Sequence, residues 1–265
     1  MFVIRQTIIG CVCNMTISEL FWNATLEELK NGYHEEGNHY TCLICGTIIE
    51  KGIIYPENDL LFEAEKYMSV HIKKTHQSVF DYLIQLDKKL TGLTDHQNRL
   101  LNLFYQGKSD ASVQQEMCIG SASTIRNHRF VLKEKERQAK LFLTMMELLK
   151  EKDQHAPAFI PPHKTARMVD DRYNITVEEK AKIVTKYFPE GPSGVLKSFP
   201  PKEKQRLVVL KEVVKRIGND RTYTEKEINQ ILETIYHDYV MLRRYLIEYG
   251  LLDRKTDGSQ YWLQK

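Results

Sequence analysis

The sequence predicts a mainly α-helical protein assembled from several small modules. Three observations carry that prediction. Apolar residues recur at helical spacing along most of the 265 residues, the stretch from Leu93 to Asp153 holds no convincing strand, and a proline-bearing segment near residue 160 separates regions of different pattern. A chain of this length is too long for one small core and suits two or three modules.

The bulk numbers exclude several classes. No run of about 18 apolar residues occurs, so no membrane span and no membrane partner are expected. Five cysteines, odd in number and unevenly spread, argue against a secreted disulfide framework and for a cytoplasmic protein. The opening "MFVIRQTIIGCVCN" is too short in its apolar run for a signal peptide. Met15 reads as an alternative natural start, which would leave residues 1–14, with Cys11 and Cys13, outside the functional protein. No Gly-rich phosphate loop, G-x-S-x-G or close acid pair appears, so the expectation is a protein that is not an enzyme.

The net charge of +3 conceals a gradient. Residues 1–90 carry 8 Lys+Arg against 12 Asp+Glu, or −4; residues 121–150 carry 7 against 3, or +4; residues 197–265 carry 14 against 10, again +4. Two basic regions suggest two surfaces able to meet polyanions.

Four segments follow in order. Residues 15–90 form an N-terminal module that opens on "SELFWNATLEELKNGY", a helix with Leu20, Phe21, Ala24, Leu26 and Leu29 near one face and Ser18 as its N-cap. A helical pattern resumes at His71 and ends at Gly92. Residues 91–152 read as four helices punctuated at Gly107-Lys108-Ser109 and Gly120-Ser121. Residues 153–196 form a linker with Pro157, Pro161 and Pro162 and a short helix capped by Thr176. Residues 197–265 carry three amphipathic helices, with Thr224 and Glu227 as a capping box on the second, then two short strands around Asp257-Gly258.

The first module holds the sharpest chemical signal. In "YTCLICG", Cys42 and Cys45 stand two residues apart with Gly46 following, and in "YMSVHIKKTH", His71 and His76 lie five apart on a predicted helix. A tight turn brings both thiolates of a C-x2-C to one side, and H-x3-to-5-H offers two imidazoles to one ion, which suits tetrahedral Zn²⁺. The pattern resembles a two-cysteine, two-histidine zinc finger, with Zn²⁺ as the implied cofactor. It departs in the 25 residues between Cys45 and His71, where the common finger has about a dozen. His34 and His39 are rival ligands. Two other readings stand beside the metal: a redox pair, disfavoured because no βαβ context surrounds it, and small core cysteines with histidines on a polar face. The acidic setting points to a structural or protein-contact finger.

The second module carries Leu93, Leu100, Leu103, Phe104, Val113, Met117, Ile119, Ile125 and Leu132 at the spacing of three short helices around one small core. Such a core holds the third helix across the second, the helix-turn-helix arrangement. "LTDHQNRLLNLFYQGKSDASV" and "STIRNH" resemble the opening helix, turn and recognition-helix start of the four-helix LuxR-type DNA-binding domain. That resemblance implies major-groove reading by a helix starting near Ser123. Ser123 and Thr124 would lie near phosphates and Arg126 and Asn127 would face the groove, where Arg pairs with guanine and Asn with adenine. Arg129 and Lys133 would add base or phosphate contacts. The helix continues with Phe142, Met145 and Leu149 as a stripe, read either as core or as homodimer contact.

The last module has the order of a winged helix. Tyr223 to Asn229, His237-Asp238, Leu242 to Leu246 and Gly250 to Arg254 make it similar to a bacterial winged-helix family of unknown function (DUF2087-like), often appended to regulators. Val240, Leu246 and Ile247 are expected to pack inward. Tyr239, Arg243 and Arg244, with Arg254 and Lys255 on the hairpin, form a second nucleic-acid surface or, alternatively, Arg residues paired with local carboxylates. The whole reads as a bacterial transcription regulator that binds double-stranded DNA. The alternative is a zinc-dependent sensor or scaffold binding protein partners, or RNA.

Overall fold

A computed structural model of the chain describes residues 17–166, 169–218 and 221–264. The expectations placed on residues 1–14 lie outside the described residues. The described residues form two compact units: residues 17–82 with Pro161–Lys164, and residues 83–160 with 165–166, 169–218 and 221–264. It is mainly helical, and no helix among the described residues is long and apolar enough to cross a membrane.

The first unit begins with two helices rather than the single one expected, α1 (Ile17–Asn23) and α2 (Leu26–Asn31). Thr25 causes the break, because its hydroxyl accepts from the Glu28 amide while the Glu28 carboxylate accepts from the Thr25 amide, and this capping box starts a new helix. Phe21 is buried, but Leu26 is exposed, so the single apolar face does not form. Gly32 ends α2 at φ 81°, where a Cβ would meet the Val79 side chain.

Three antiparallel strands follow: β1 (Tyr33–Glu36), β2 (His39–Cys42) and β3 (Ile48–Glu50), with β2 central. A second hairpin, β4 (Ile54–Glu57) with β5 (Leu60–Glu63), turns through Asn58 and Asp59, both at positive φ, a pairing that matches strand twist. The hairpin accounts for the long span between the cysteine and histidine pairs. Helix α3 (Ala64–His76) packs Ala64, Met68 and Ile72 onto a core with Tyr40, Cys42, Ile44 and Ile49. Gln77, at φ 64°, ends α3, and α4 (Val79–Gln85) begins; its first half, through Tyr82, belongs to this unit.

The second unit includes α5 (Lys88–Thr91), which ends at Gly92 in the left-handed region as expected. Next come α6 (Asp95–Tyr105), α7 (Asp110–Glu116) and α8 (Ala122–Lys152). These are three helices where four were expected, because α8 runs unbroken for 31 residues. Leu100, Leu103, Val113 and Ile125 form their small core, flanked by Phe104, Met117 and Ile119.

The same unit holds α9 (Val177–Tyr187), α10 (Glu203–Val214), α11 (Glu225–Glu233), α12 (Tyr239–Glu248), and the hairpin β6 (Leu252–Arg254) with β7 (Tyr261–Leu263). The boxes at Thr176–Glu179 and Thr224–Glu227 start α9 and α11. α10 is the central helix, with Leu207, Val208, Val209, Leu210 and Val213 all buried. On α12 the inward residues are Leu242 and Leu246, with Ile247 partly covered. Val240, expected inward, is 43% exposed, because Asp238 caps the helix through the Met241 amide and sets the rotation.

Candidate metal centre and basic helix surfaces

Cys42 ends β2, and the chain turns through Leu43 and Ile44 to Cys45. The Cys42 amide donates to the Thr47 carbonyl and the Gly46 amide to the Cys42 carbonyl, closing a tight knuckle with Gly46 at φ 82°. His71 and His76 come from the last turns of α3. One ligand atom from each of Cys42, Cys45, His71 and His76 lies within 4.8 Å of the others. Cys42 Sγ is 3.7 Å from His76 Nε2, and Cys45 Sγ is 3.2 Å from His71 Nε2. A tetrahedral ion with metal–sulfur near 2.3 Å and metal–nitrogen near 2.0–2.1 Å sets ligand separations of about 3.3–3.8 Å. The group therefore fits one metal ion held by four protein ligands.

The sulfurs are electrostatically unequal. Hydrogen bonding to Cys45 and burial hold the Cys42 thiol above its ordinary range, while the bonds from Cys42 and Thr47 hold Cys45 well below it. A ready thiolate beside two imidazoles is the donor set a borderline-soft cation takes. Thr75 Oγ1 lies 3.4 Å from His71 Nδ1, on the side away from the cluster. The rival histidines stay apart: His34 Nδ1 lies 2.5 Å from Glu28 Oε1, and His39 faces Glu50 across the sheet.

Behind the knuckle sits a group that sequence reasoning missed. Lys164 is only 4% exposed. Its Nζ donates to the Leu43 carbonyl at 2.9 Å and the Ile44 carbonyl at 2.8 Å, and it lies 5.5 Å from the Phe21 ring and 5.6 Å from the Tyr82 ring. Burial pushes its ammonium down to about 8, against the pull of the Cys42 and Cys45 charges. Two residues earlier, the Pro162 carbonyl accepts from Trp22 Nε1 at 2.6 Å and Ser18 Oγ at 3.1 Å.

In the second unit, Ser121 caps α8 by accepting from the Thr124 amide, so the helix starts at Ala122, one residue before Ser123. Ile125 is fully buried, while Ser123, Thr124, Arg126 and Asn127 around it are exposed. Arg126 and Asn127 make no side-chain hydrogen bond or ion pair with the described residues. Arg129 is exposed but not free. Its guanidinium pairs with Asp110 at 2.7 Å and lies 3.7 Å from the centre of the Phe104 ring, holding α8 against α6 and α7. Lys133 pairs with Glu136 along the exposed helix.

The expected C-terminal residues also divide. Arg243 is 13% exposed, pairs with Glu225 at 2.9 Å, bonds Asn229 and lies 5.4 Å from the Tyr261 ring. Tyr239 packs against the core. Arg244, Arg254 and Lys255 are exposed. Residues 195–263 match the model of a bacterial family of uncharacterized proteins, DUF2087. No curated protein and no solved structure matches the chain.

The DUF2087 match covers the segment whose motifs were legible, from Tyr223 to Arg254. Lys164 had no comparable signal, since "PPHKT" has no spacing that announces a buried ammonium 120 residues from its acceptors. His96 and His128 are a second unannounced pair, with Nε2 atoms 3.3 Å apart across α6 and α8.

Proposed function

We propose that the chain is a DNA-binding transcription regulator, with α7 and α8 as a helix-turn-helix and a Zn²⁺-stapled N-terminal module. The observation that carries this reading is the division of labour at the start of α8. Ile125 is buried in the core while Arg126 and Asn127 stand exposed beside it, with no side-chain hydrogen bond or ion pair among the described residues. Arg offers a bidentate donor pair for guanine and Asn a donor and acceptor for adenine, and a helix enters the major groove by such N-terminal residues. Ser123 and Thr124 lie where phosphate oxygens would run. Arg129, committed to Asp110, is left out of the reading set, and Lys133 is a backbone contact.

The metal is Zn²⁺ in this reading because two thiolates and two imidazoles fill a closed tetrahedral site with no open position for substrate. Such an ion staples a fold and supplies no chemistry. The DUF2087 segment adopts a winged-helix role, with Arg244 and, on the hairpin, Arg254 and Lys255 as its phosphate-facing groups. The stripe of Leu141, Phe142, Met145, Leu148 and Leu149 on α8, all at least half exposed, is the contact of a homodimer. These five side chains present on the order of 500 Å² of apolar surface, in the upper part of the range a monomer leaves open and short of the ~800 Å² a stable interface buries per partner.

One observation favours a second reading. Ile53, Ile54, Leu60 and Leu61 on the acidic first unit are exposed around the β4–β5 hairpin, which suits a scaffold that docks a protein partner. Selection of bound sequences from a random duplex pool separates the two. Enrichment of a defined half-site supports the regulator, and recovery of an unenriched pool rejects it.

A further inference from the structure

We propose that Lys164 is a positioning residue of the metal centre and that segment 161–164 is a strap whose hold on the first unit depends on the bound ion. The inference rests on the metal reading above. A buried ammonium is costly unless its donors are satisfied and its charge compensated. Among the described residues no carboxylate forms a salt bridge with Lys164. Its partners are the carbonyls of Leu43 and Ile44, the two residues between the ligand cysteines, and the faces of Phe21 and Tyr82.

Those two carbonyls meet at one Nζ, so the ammonium ties together the two residues that link the ligand cysteines. The lysine therefore holds the ligating shape of the knuckle from behind, and the ion holds it from in front. Segment 161–164 has no helix or strand of its own. Within it Lys164 bonds the Leu43 and Ile44 carbonyls, and the Pro162 carbonyl accepts from Ser18 and Trp22. Releasing the ion lets the knuckle relax, the carbonyl pair diverge and the ammonium return to water. The next residue, Thr165, enters the second unit.

The test uses the full chain, Zn²⁺ and a competing chelator. With Zn²⁺ bound, trypsin is expected to leave the Lys164–Thr165 bond intact, and chelation is expected to expose it, with the cut located by mass spectrometry. Lys164→Met keeps the apolar stem but leaves both carbonyls unpaired, so Zn²⁺ affinity is expected to fall about 10–100-fold, the usual loss for a support of metal ligands. Trp22→Phe keeps the ring and removes one donor to Pro162. It is expected to speed cutting at Lys164 with the metal still bound, and it decides the matter if Lys164→Met does not fold.

Equal cutting with and without chelator in a zinc-loaded chain overturns the strap and leaves the metal reading standing, as does unchanged zinc affinity in folded Lys164→Met. A wild-type chain that takes up no Zn²⁺, or a Cys42→Ser, Cys45→Ser chain that takes up as much, overturns both.

Discussion

Adjacent residues on α8 are assigned opposite roles, and substituting each separates them. Ile125→Ala removes three carbons from a fully buried side chain in a core of four buried residues. At ~0.8 kcal/mol per carbon the transfer loss is about 2.5 kcal/mol, and the cavity left by partial collapse raises it to about 3–4 kcal/mol. That loss falls on a local core of only four buried residues, so α6, α7 and the start of α8 open more readily. Hydrogen exchange of the Leu100 and Leu103 amides is the assay, and a 3–4 kcal/mol loss quickens exchange by about 10²–10³-fold. Arg126→Ala, on an exposed side chain with no hydrogen bond or ion pair among the described residues, is expected to stay within about 0.5 kcal/mol of wild type in the same assay. It is expected to weaken specific duplex binding by roughly 1–3 kcal/mol. Unchanged exchange in Ile125→Ala, or destabilisation beyond about 1 kcal/mol in Arg126→Ala, would refute the assigned rotation of α8.

Elemental analysis of the purified chain is expected to give about one zinc per molecule, lost in Cys42→Ser with Cys45→Ser and reduced as pH falls, because the ligands bind only as thiolates and neutral imidazoles. Full zinc in the double variant would remove the ligand set. Leu141→Glu with Leu148→Glu places charges on the exposed stripe of α8, and sedimentation is expected to show a dimer converted to monomer; a wild-type monomer would contradict it. Arg243→Ala is expected to cost about 1–2 kcal/mol in thermal unfolding, through lost bonds to Glu225 and Asn229, with duplex affinity unchanged. A selective loss of binding would return Arg243 to the nucleic-acid surface.

Local chemistry was legible wherever it lay within one helical turn or one tight turn. Thr224 with Glu227 announced α11, Asp257-Gly258 announced the last hairpin, and the four candidate metal ligands announced themselves by spacing. The same T-x-x-E/Q grammar at Thr25–Glu28 and Thr94–Gln97 was equally present, and the first of these explains why one expected helix is two. The β1–β2–β3 sheet was hidden because its strands are three or four residues long, too short for alternation to stand out, and the histidine-rich β1–β2 stretch reads as polar. Side-chain partners across long separations were not legible at all. Nothing near Arg129 in sequence reveals Asp110 and Phe104 beneath it, and nothing in the linker reveals that Lys164 reaches the knuckle. The exposure of Val240 follows from a cap at Asp238 that a single turn's register decides.

Duplex affinity measured against salt concentration tests the central claim most directly. Each phosphate neutralised by a Lys or Arg adds about −0.9 to the slope of log affinity on log salt, so the account predicts a slope steeper than about −3 for the wild-type chain. Arg126→Ala is predicted to lower affinity for the selected site while leaving binding to unrelated duplex nearly unchanged. A flat salt response, with the same weak affinity for every duplex, would contradict DNA binding as the function of this chain.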